Sequence, residues 1–234
     1  MSESELNIRV GEFLKSAFRF YLVRNYDEAI EDLKAAEMLD RDNPEVLYNL
    51  GINYCRMGLY KTAVGYFNRV VNLPQSFVDK LTVKKLIAYT LINMKKYAEA
   101  MEHLDDVLDI SSADLAACNM KGYSLEKNGE FRKALEVYKS IIDFDKKNYN
   151  AYNSIAYVML SAGGDPDECL KFAKIAVESD RLNPAYLDTL GAIYMKKGEF
   201  DKAGKLFKTA LKAAPFADEI KKHLSDLNRM MKKK

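Results

Sequence analysis

The chain has two histidines, His103 and His223, and neither sits in a pattern that supplies a nucleophile and a third, orienting group. Its three cysteines, Cys55, Cys118 and Cys169, are far apart, and no CxxC spacing, zinc-ligand spacing, Gly-rich phosphate loop or dinucleotide fingerprint occurs. Aspartates and glutamates are scattered along helical patterns, as on solvated faces, so acid–base catalysis has no paired carboxylates to use. No catalytic residue, cofactor or metal is therefore assigned. The residue types that do recur at a fixed interval are of another kind. Tyr89, Tyr123 and Tyr157 follow one another at intervals of 34 residues, as do Asn119 and Asn153. A tyrosine offers flat area with little rotamer entropy to lose, and an asparagine both donates to and accepts from a peptide backbone whatever its sequence. This is the chemistry of recognition.

The elements that position these side chains carry the same interval. Six copies of a unit of about 34 residues run over 10–43, 44–77, 81–114, 115–148, 149–183 and 184–217, with an insertion from Val78 to Lys80 and one extra residue in the fifth copy. The eighth position is Ala17, Gly51, Ala88, Gly122, Ala156 and Gly191; the twentieth is Ala29, Ala63, Ala100, Ala134, Cys169 and Ala203. Small residues at both places suit two helices that cross closely. Apolar residues around them keep helical spacing, as in Leu47, Leu50 and Tyr54, then Ala63, Phe67 and Val70. Each unit is thus predicted to be two amphipathic helices, neither able to bury its face alone, so stacking completes the core.

Punctuation agrees. Asn43-Pro44 and Asn183-Pro184 place a capping side chain and a proline at helix starts, whereas Gly58, Gly129 and Gly198 stand where a first helix must stop. Ser2 and Glu5 read as a capping box for an N-terminal helix. Residues 218–232, with Ile220, Leu224, Leu227 and Met231 at helical spacing, read as a terminal capping helix. No linker-like stretch interrupts the pattern, so one continuous array over 1–234 is predicted.

Lys+Arg of 36 against Asp+Glu of 34 leaves a net charge of +2, too small to attract nucleic acid or anionic lipid over the whole surface. The acidic start lacks the basic and apolar regions of a secretion signal, and no apolar run reaches membrane-spanning length. Reduced cysteines and a cytoplasmic location, without membrane insertion, are the expectation.

Tyr48-Asn-Leu-Gly-Ile-Asn-Tyr54 and Asp188-Thr-Leu-Gly-Ala-Ile-Tyr194 resemble the first-helix signature of the tetratricopeptide repeat family, and Tyr26-Asp-Glu-Ala-Ile30 its second. The resemblance covers nearly the whole chain and implies an all-α fold, a right-handed superhelical solenoid of antiparallel helix pairs. Three departures stand out: Lys84 at the large fourth position, Lys121 at the apolar seventh, and Ser16 at the seventh of the first copy, where looser packing is expected. In the fifth copy Gly163-Gly164-Asp165-Pro166 replaces the usual turn.

In that family the second, fifth, ninth and twelfth positions of each first helix line a concave groove. Carried over, they nominate Tyr48, Ile52, Lys85, Tyr89, Asn119, Tyr123, Asn153 and Tyr157 as a partner-binding stripe, extended by Asp188 and Ala192 in the last copy. The basic set with which some relatives grip a chaperone's terminal carboxylate is incomplete: Lys85 is present, Tyr89 takes the next place, and the other basic members are missing. Leu14, Phe18 and Tyr21 form an apolar cluster in the first copy that a partner peptide, a second copy of the chain or its own N-terminus would cover. The function implied is a non-catalytic scaffold that holds a protein or peptide partner, with self-association through the first repeat as the alternative. RNA binding is disfavoured, because Glu45, Glu126 and Asp188 offset the single Lys85, leaving the tail Arg229-Met-Met-Lys-Lys-Lys234 as its support.

Overall fold

A computed structural model describes residues 2–74 and 79–232, and every regular element among them is an α-helix. Val78 and residues 75–77, at the insertion and the end of the second repeat, lie outside the described residues. The chain forms two compact units, Met1–Ser124 and Leu125–Lys234.

In the first unit the helices are α1 (Glu3–Leu22), α2 (Tyr26–Leu39), α3 (Pro44–Arg56), α4 (Tyr60–Asn72), α5 (Lys80–Asn93) and α6 (Tyr97–Ile110), followed by most of α7 (Leu115–Lys127). They pack as consecutive pairs, α1 on α2, α3 on α4 and α5 on α6, and α2 and α4 also touch the helix that follows. The starts are fixed by side chains. Ser2 and Glu5 make a reciprocal capping box, and Asn43 Oδ1 accepts from the backbone N–H of Glu45 and Val46 at 3.1 Å each, with Pro44 filling the first helical position. In the second unit α8 (Phe131–Phe144), α9 (Tyr149–Ser161), α10 (Pro166–Ser179), α11 (Pro184–Lys196), α12 (Phe200–Ala213) and α13 (Asp218–Met231) continue the same scheme.

Side-chain size at two facing positions sets how close each pair comes. A methyl group on Gly51 would lie 2.5 Å from the Phe67 ring, and one on Gly191 would lie 2.6 Å from the Phe207 ring, although both rings are fully buried and have nowhere to go. Where the aromatic ring is replaced by a smaller residue, the glycine is replaced by alanine. Ala17 shares its core with Leu33, Ala88 with Leu104, and Ala156 with Ala173. Gly122 keeps the rule in sequence, with Tyr138 sixteen residues on. Each such ring contributes about 1.5–3 kcal/mol by leaving water, provided that the opposite helix has no Cβ in its way.

The departures from the repeat have local explanations. Lys84 and Lys121 take core places on α5 and α7 and reach Asp106 and Asp105 of α6, at 2.5 Å each, so both charges are paired. The unusual fifth turn is closed by Asp165, whose carboxylate caps α10 by accepting from Asp167 N–H at 3.0 Å, with Pro166 at the first helical position. Gly164 is required there because a Cβ would meet the Met159 carbonyl oxygen at 2.8 Å. α13 begins one period after Pro184 and buries Ile220 and Leu227, while Met231, expected on its apolar side, stays exposed.

The stop signals are only partly glycine. Gly58 and Gly198 end α3 and α11 with φ of +75° and +78°, but the same place after α1 and α5 is held by Arg24 and Lys95, each at φ +60°. A side chain in this left-handed conformation costs about 1–2 kcal/mol, part of which is returned by a less flexible unfolded chain. Arg24→Gly and Lys95→Gly are each expected to stabilise the protein by about 0.5–1 kcal/mol. A lower chemical-denaturation midpoint in either variant would show that the turn is not strained.

Candidate binding surface

In the first unit the nominated stripe runs along α1, α3, α5 and α7, and its members differ sharply in how much of them is free. Tyr89 and Tyr123 are 49% and 41% exposed, the most open rings of the set in α5 and α7. Tyr123 is held edge-on to Tyr97 of α6 at 6.4 Å, so its orientation is supported from behind. Asn119, half-buried, donates from its amide to the Leu115 carbonyl of its own helix at 2.7 Å. Lys85 is bound to Asp114 at 2.6 Å, and Asp114 also accepts from Ala117 N–H, which caps the start of α7. The one basic side chain of the stripe is thus already neutralised. Burial pushes the Asp114 carboxyl up, but the Lys85 bond and the Ala117 N–H outweigh it and hold it below the usual range.

Tyr48 and Ile52 of α3 are half-buried, with the Tyr48 ring tilted 6.3 Å from Phe67. Together with Leu14, Phe18 and Tyr21 of α1 they line an open pocket of about 230 Å³. Phe18 is 58% exposed, whereas the Tyr21 hydroxyl accepts from Arg56 Nε at 3.3 Å. The apolar cluster of the first repeat and the start of the stripe therefore share one concavity.

The second unit treats its part of the stripe differently. Tyr157 is half-buried, with its hydroxyl donating to Glu219 at 3.3 Å and the Lys127 ammonium 5.7 Å from its ring centroid. Asn153 keeps one side-chain oxygen buried without a hydrogen-bond partner among the described residues. Asp188 and Ala192, expected to line an open groove, are buried beneath α13, so the sequence assignment is corrected for this last rung. Asp188 is 7% exposed, and His223 Nδ1 lies 2.9 and 3.1 Å from its two carboxylate oxygens, with the imidazole 5.7 Å from the Phe207 ring. A carboxylate brought this far out of water needs a partner, and the capping helix supplies it. The signal was in the sequence: His223 follows Asp188 by one period and one residue, which places the two on adjacent first-helix positions of the repeat.

Among the described residues no group of three His, Cys, Asp or Glu could hold a metal ion, and no helix is long and apolar enough to cross a membrane. The three cysteines are free thiols, with Cys118 and Cys169 buried and their thiols pushed up by desolvation. Burial lowers His103, favouring its neutral form.

The Asp188 bond raises His223 above the usual imidazole value, burial opposing it and the nearby Glu219 and Asp226 assisting. A raised folded-state value means that the stabilisation is complete below the unfolded value of 6.5 and is lost as pH rises through the folded one. Docking of α13 is therefore expected to be firmest in mildly acid solution and to weaken toward pH 8. Hydrogen exchange of α13 amides at pH 6 and 8, corrected for intrinsic rates, reads this directly. Asp188→Asn should abolish the difference, and a difference that persists in that variant would assign it to another group.

Family models described as TPR repeat and tetratricopeptide repeat match residues 24–58, 45–76, 86–114, 115–148 and 184–217, more than half of the chain between them. A TPR repeat-containing protein of Methanocaldococcus jannaschii, MJ1428, is 24% identical over 170 residues, covering 70% of this chain and 30% of that protein. The chain spans about a third of the length of the curated relatives it matches. Among solved structures, MamA from Desulfovibrio magneticus RS-1 aligns with a TM-score of 0.67 at 20% identity, over 74% of this chain and 96% of that one. YrrB, described as a TPR protein with an unusual peptide-binding site, aligns at 0.62 and 16% identity, over 75% and 88%. The size-matched helix pairs, the recurring caps and these likenesses agree, and the chain belongs to the tetratricopeptide repeat family.

Proposed function

We propose that the protein is a non-catalytic scaffold that holds an extended segment of a partner polypeptide along the first helices of its amino-terminal unit. The observation that carries this is the pair Tyr89 and Tyr123, which stand at the same repeat position on α5 and α7 and keep nearly half of each ring in solvent. Large rings left open on an otherwise well-packed array cost hydrophobic free energy that a bound chain would return. The family's fold is one typical of protein–protein interaction, and the peptide-binding site named for YrrB is consistent with this use of it.

Local electrostatics favours a segment of low charge. Lys85 is neutralised by Asp114, so the stripe of this unit offers rings and amides with no uncompensated cation to attract a carboxylate terminus. The carboxy-terminal unit contributes less, since α13 already engages Tyr157 and Asp188. Three free thiols suit a reducing compartment, and the cytoplasm is the location we assign.

The test is capture of a partner from the source cell by the full-length chain and by a variant with Tyr89→Ala and Tyr123→Ala. Because both rings are exposed, the variant should keep its helical circular dichroism and its melting temperature within about 2 °C. Retained partners are expected to fall at least tenfold in yield. Undiminished capture by a folded variant would remove the rings from the binding surface.

A further inference from the structure

The pocket between α1 and α3 has a feature that packing alone does not account for. It descends past Phe18, Tyr21 and Tyr48 to Leu33 of α2 and to Asn53 of α3. Asn53 is 2% exposed; its amide donates to the Asn49 carbonyl at 2.8 Å, and its side-chain oxygen has no donor among the described groups. The same repeat position elsewhere avoids this cost. Thr90 and Ser124 are hydroxyls that donate back to Leu86 and Met120, at 2.7 and 2.8 Å, and in the second unit the place is taken by the buried aliphatic residues Val158 and Ile193. Among the described residues at this repeat position, Asn53 of the copy that borders the pocket is the one that buries an acceptor with nothing to accept.

We infer that this pocket is a side-chain subsite for an aromatic residue that ends in a hydrogen-bond donor, with the indole of a partner's tryptophan the best fit. Its volume of about 230 Å³ is below the ~300–1,000 Å³ of sites for cofactors and drug-sized molecules, and suits a single large side chain. Its walls are three aromatic rings, aliphatic groups and the side chain of Asn49, with no carboxylate among the lining residues, so a lysine or arginine would lose its hydration without a counter-charge. An indole has one N–H to give to Asn53 and no acceptor of its own to satisfy, whereas phenylalanine would leave the Asn53 oxygen as it is. The chain contains no tryptophan, so no segment of this chain or of a second copy supplies that group.

This inference rests on the reading that the inner stripe receives a polypeptide, yet it is separable from it, because the pocket uses α1 and α3 while the capture test uses α5 and α7. The absence of tryptophan from the protein makes the probe its own reporter. Acetyl-Gly-Ser-Trp-Ser-Gly-amide is titrated with the full-length protein while its fluorescence is followed, and the same peptide with benzothienylalanine, which keeps the ring shape but lacks the N–H, is used as competitor. A saturable blue shift is expected, with the N–H-free peptide competing about tenfold more weakly against the wild-type chain. Asn53→Leu, which removes a buried unpaired acceptor and so should melt no lower, is expected to bind the two peptides equally. Phe18→Ala, at an exposed position, should lose the shift while melting as the wild type does.

The inference is overturned by a titration with no saturable shift, or by equal competition of the two peptides on the wild-type chain. It is equally overturned if sedimentation shows concentration-dependent dimers that Phe18→Ala dissolves, since a second copy would then be the pocket's occupant. Loss of tryptophan binding together with unchanged partner capture would leave the scaffold reading standing.

Discussion

Close approach of paired helices is the condition on which the rest of this molecule depends, and it is met by matching the size of one residue on the first helix to one on the second. Glycine faces phenylalanine at Gly51–Phe67 and Gly191–Phe207, and alanine shares a core with leucine at Ala17 and Leu33 and at Ala88 and Leu104. In these four pairs the total volume at the crossing is held roughly constant while its division between the helices varies, and Ala156 with Ala173 is the smaller exception. A protein interior packed at crystal-like density tolerates neither a void nor an extra methyl group, which explains why the large ring occurs opposite glycine and not opposite alanine.

With the buried side of each first helix devoted to its partner, the remaining side chains are free to differ from copy to copy, and in them the two units diverge. The amino-terminal unit leaves Tyr89, Tyr123 and Phe18 open and keeps a pocket between α1 and α3. The carboxy-terminal unit closes its own stripe with α13, through His223 on Asp188 and Glu219 on Tyr157. A capping helix is needed to shield the last pair from water, and here it also consumes recognition groups. The stripe of the carboxy-terminal unit is thereby engaged largely by its own capping helix, while the amino-terminal unit keeps exposed rings and the unpaired Asn53 oxygen.

The fold was legible in the sequence because its determinants are periodic. Small residues and apolar spacing recur six times, and from α2 onward each helix begins within a residue of where the period places it. What was not legible depends on pairs that a single-residue pattern does not encode. Lys84 and Lys121 looked like defects in the core until Asp106 and Asp105 of α6 were seen beside them. Arg24 and Lys95 gave no sign of a left-handed turn, since the expected mark was glycine. Asp188 looked like an open rung because its burial depends on α13 folding back over it. The stripe was found by register, but which of its members stay open follows from their neighbours, as the contrast between exposed Tyr89 and engaged Tyr157 makes plain.

Size matching at the helix crossing is the central claim, and a double-mutant cycle on Gly51 and Phe67 measures it most directly. Gly51→Ala adds a methyl group against the ring, and Phe67→Leu leaves a void; together they recreate the alanine–leucine pair already used twice in the same unit. The account predicts a double variant more stable than either single one, with a coupling of at least about 1 kcal/mol in equilibrium unfolding. Additive losses, with the double variant the least stable of the four proteins, would contradict it.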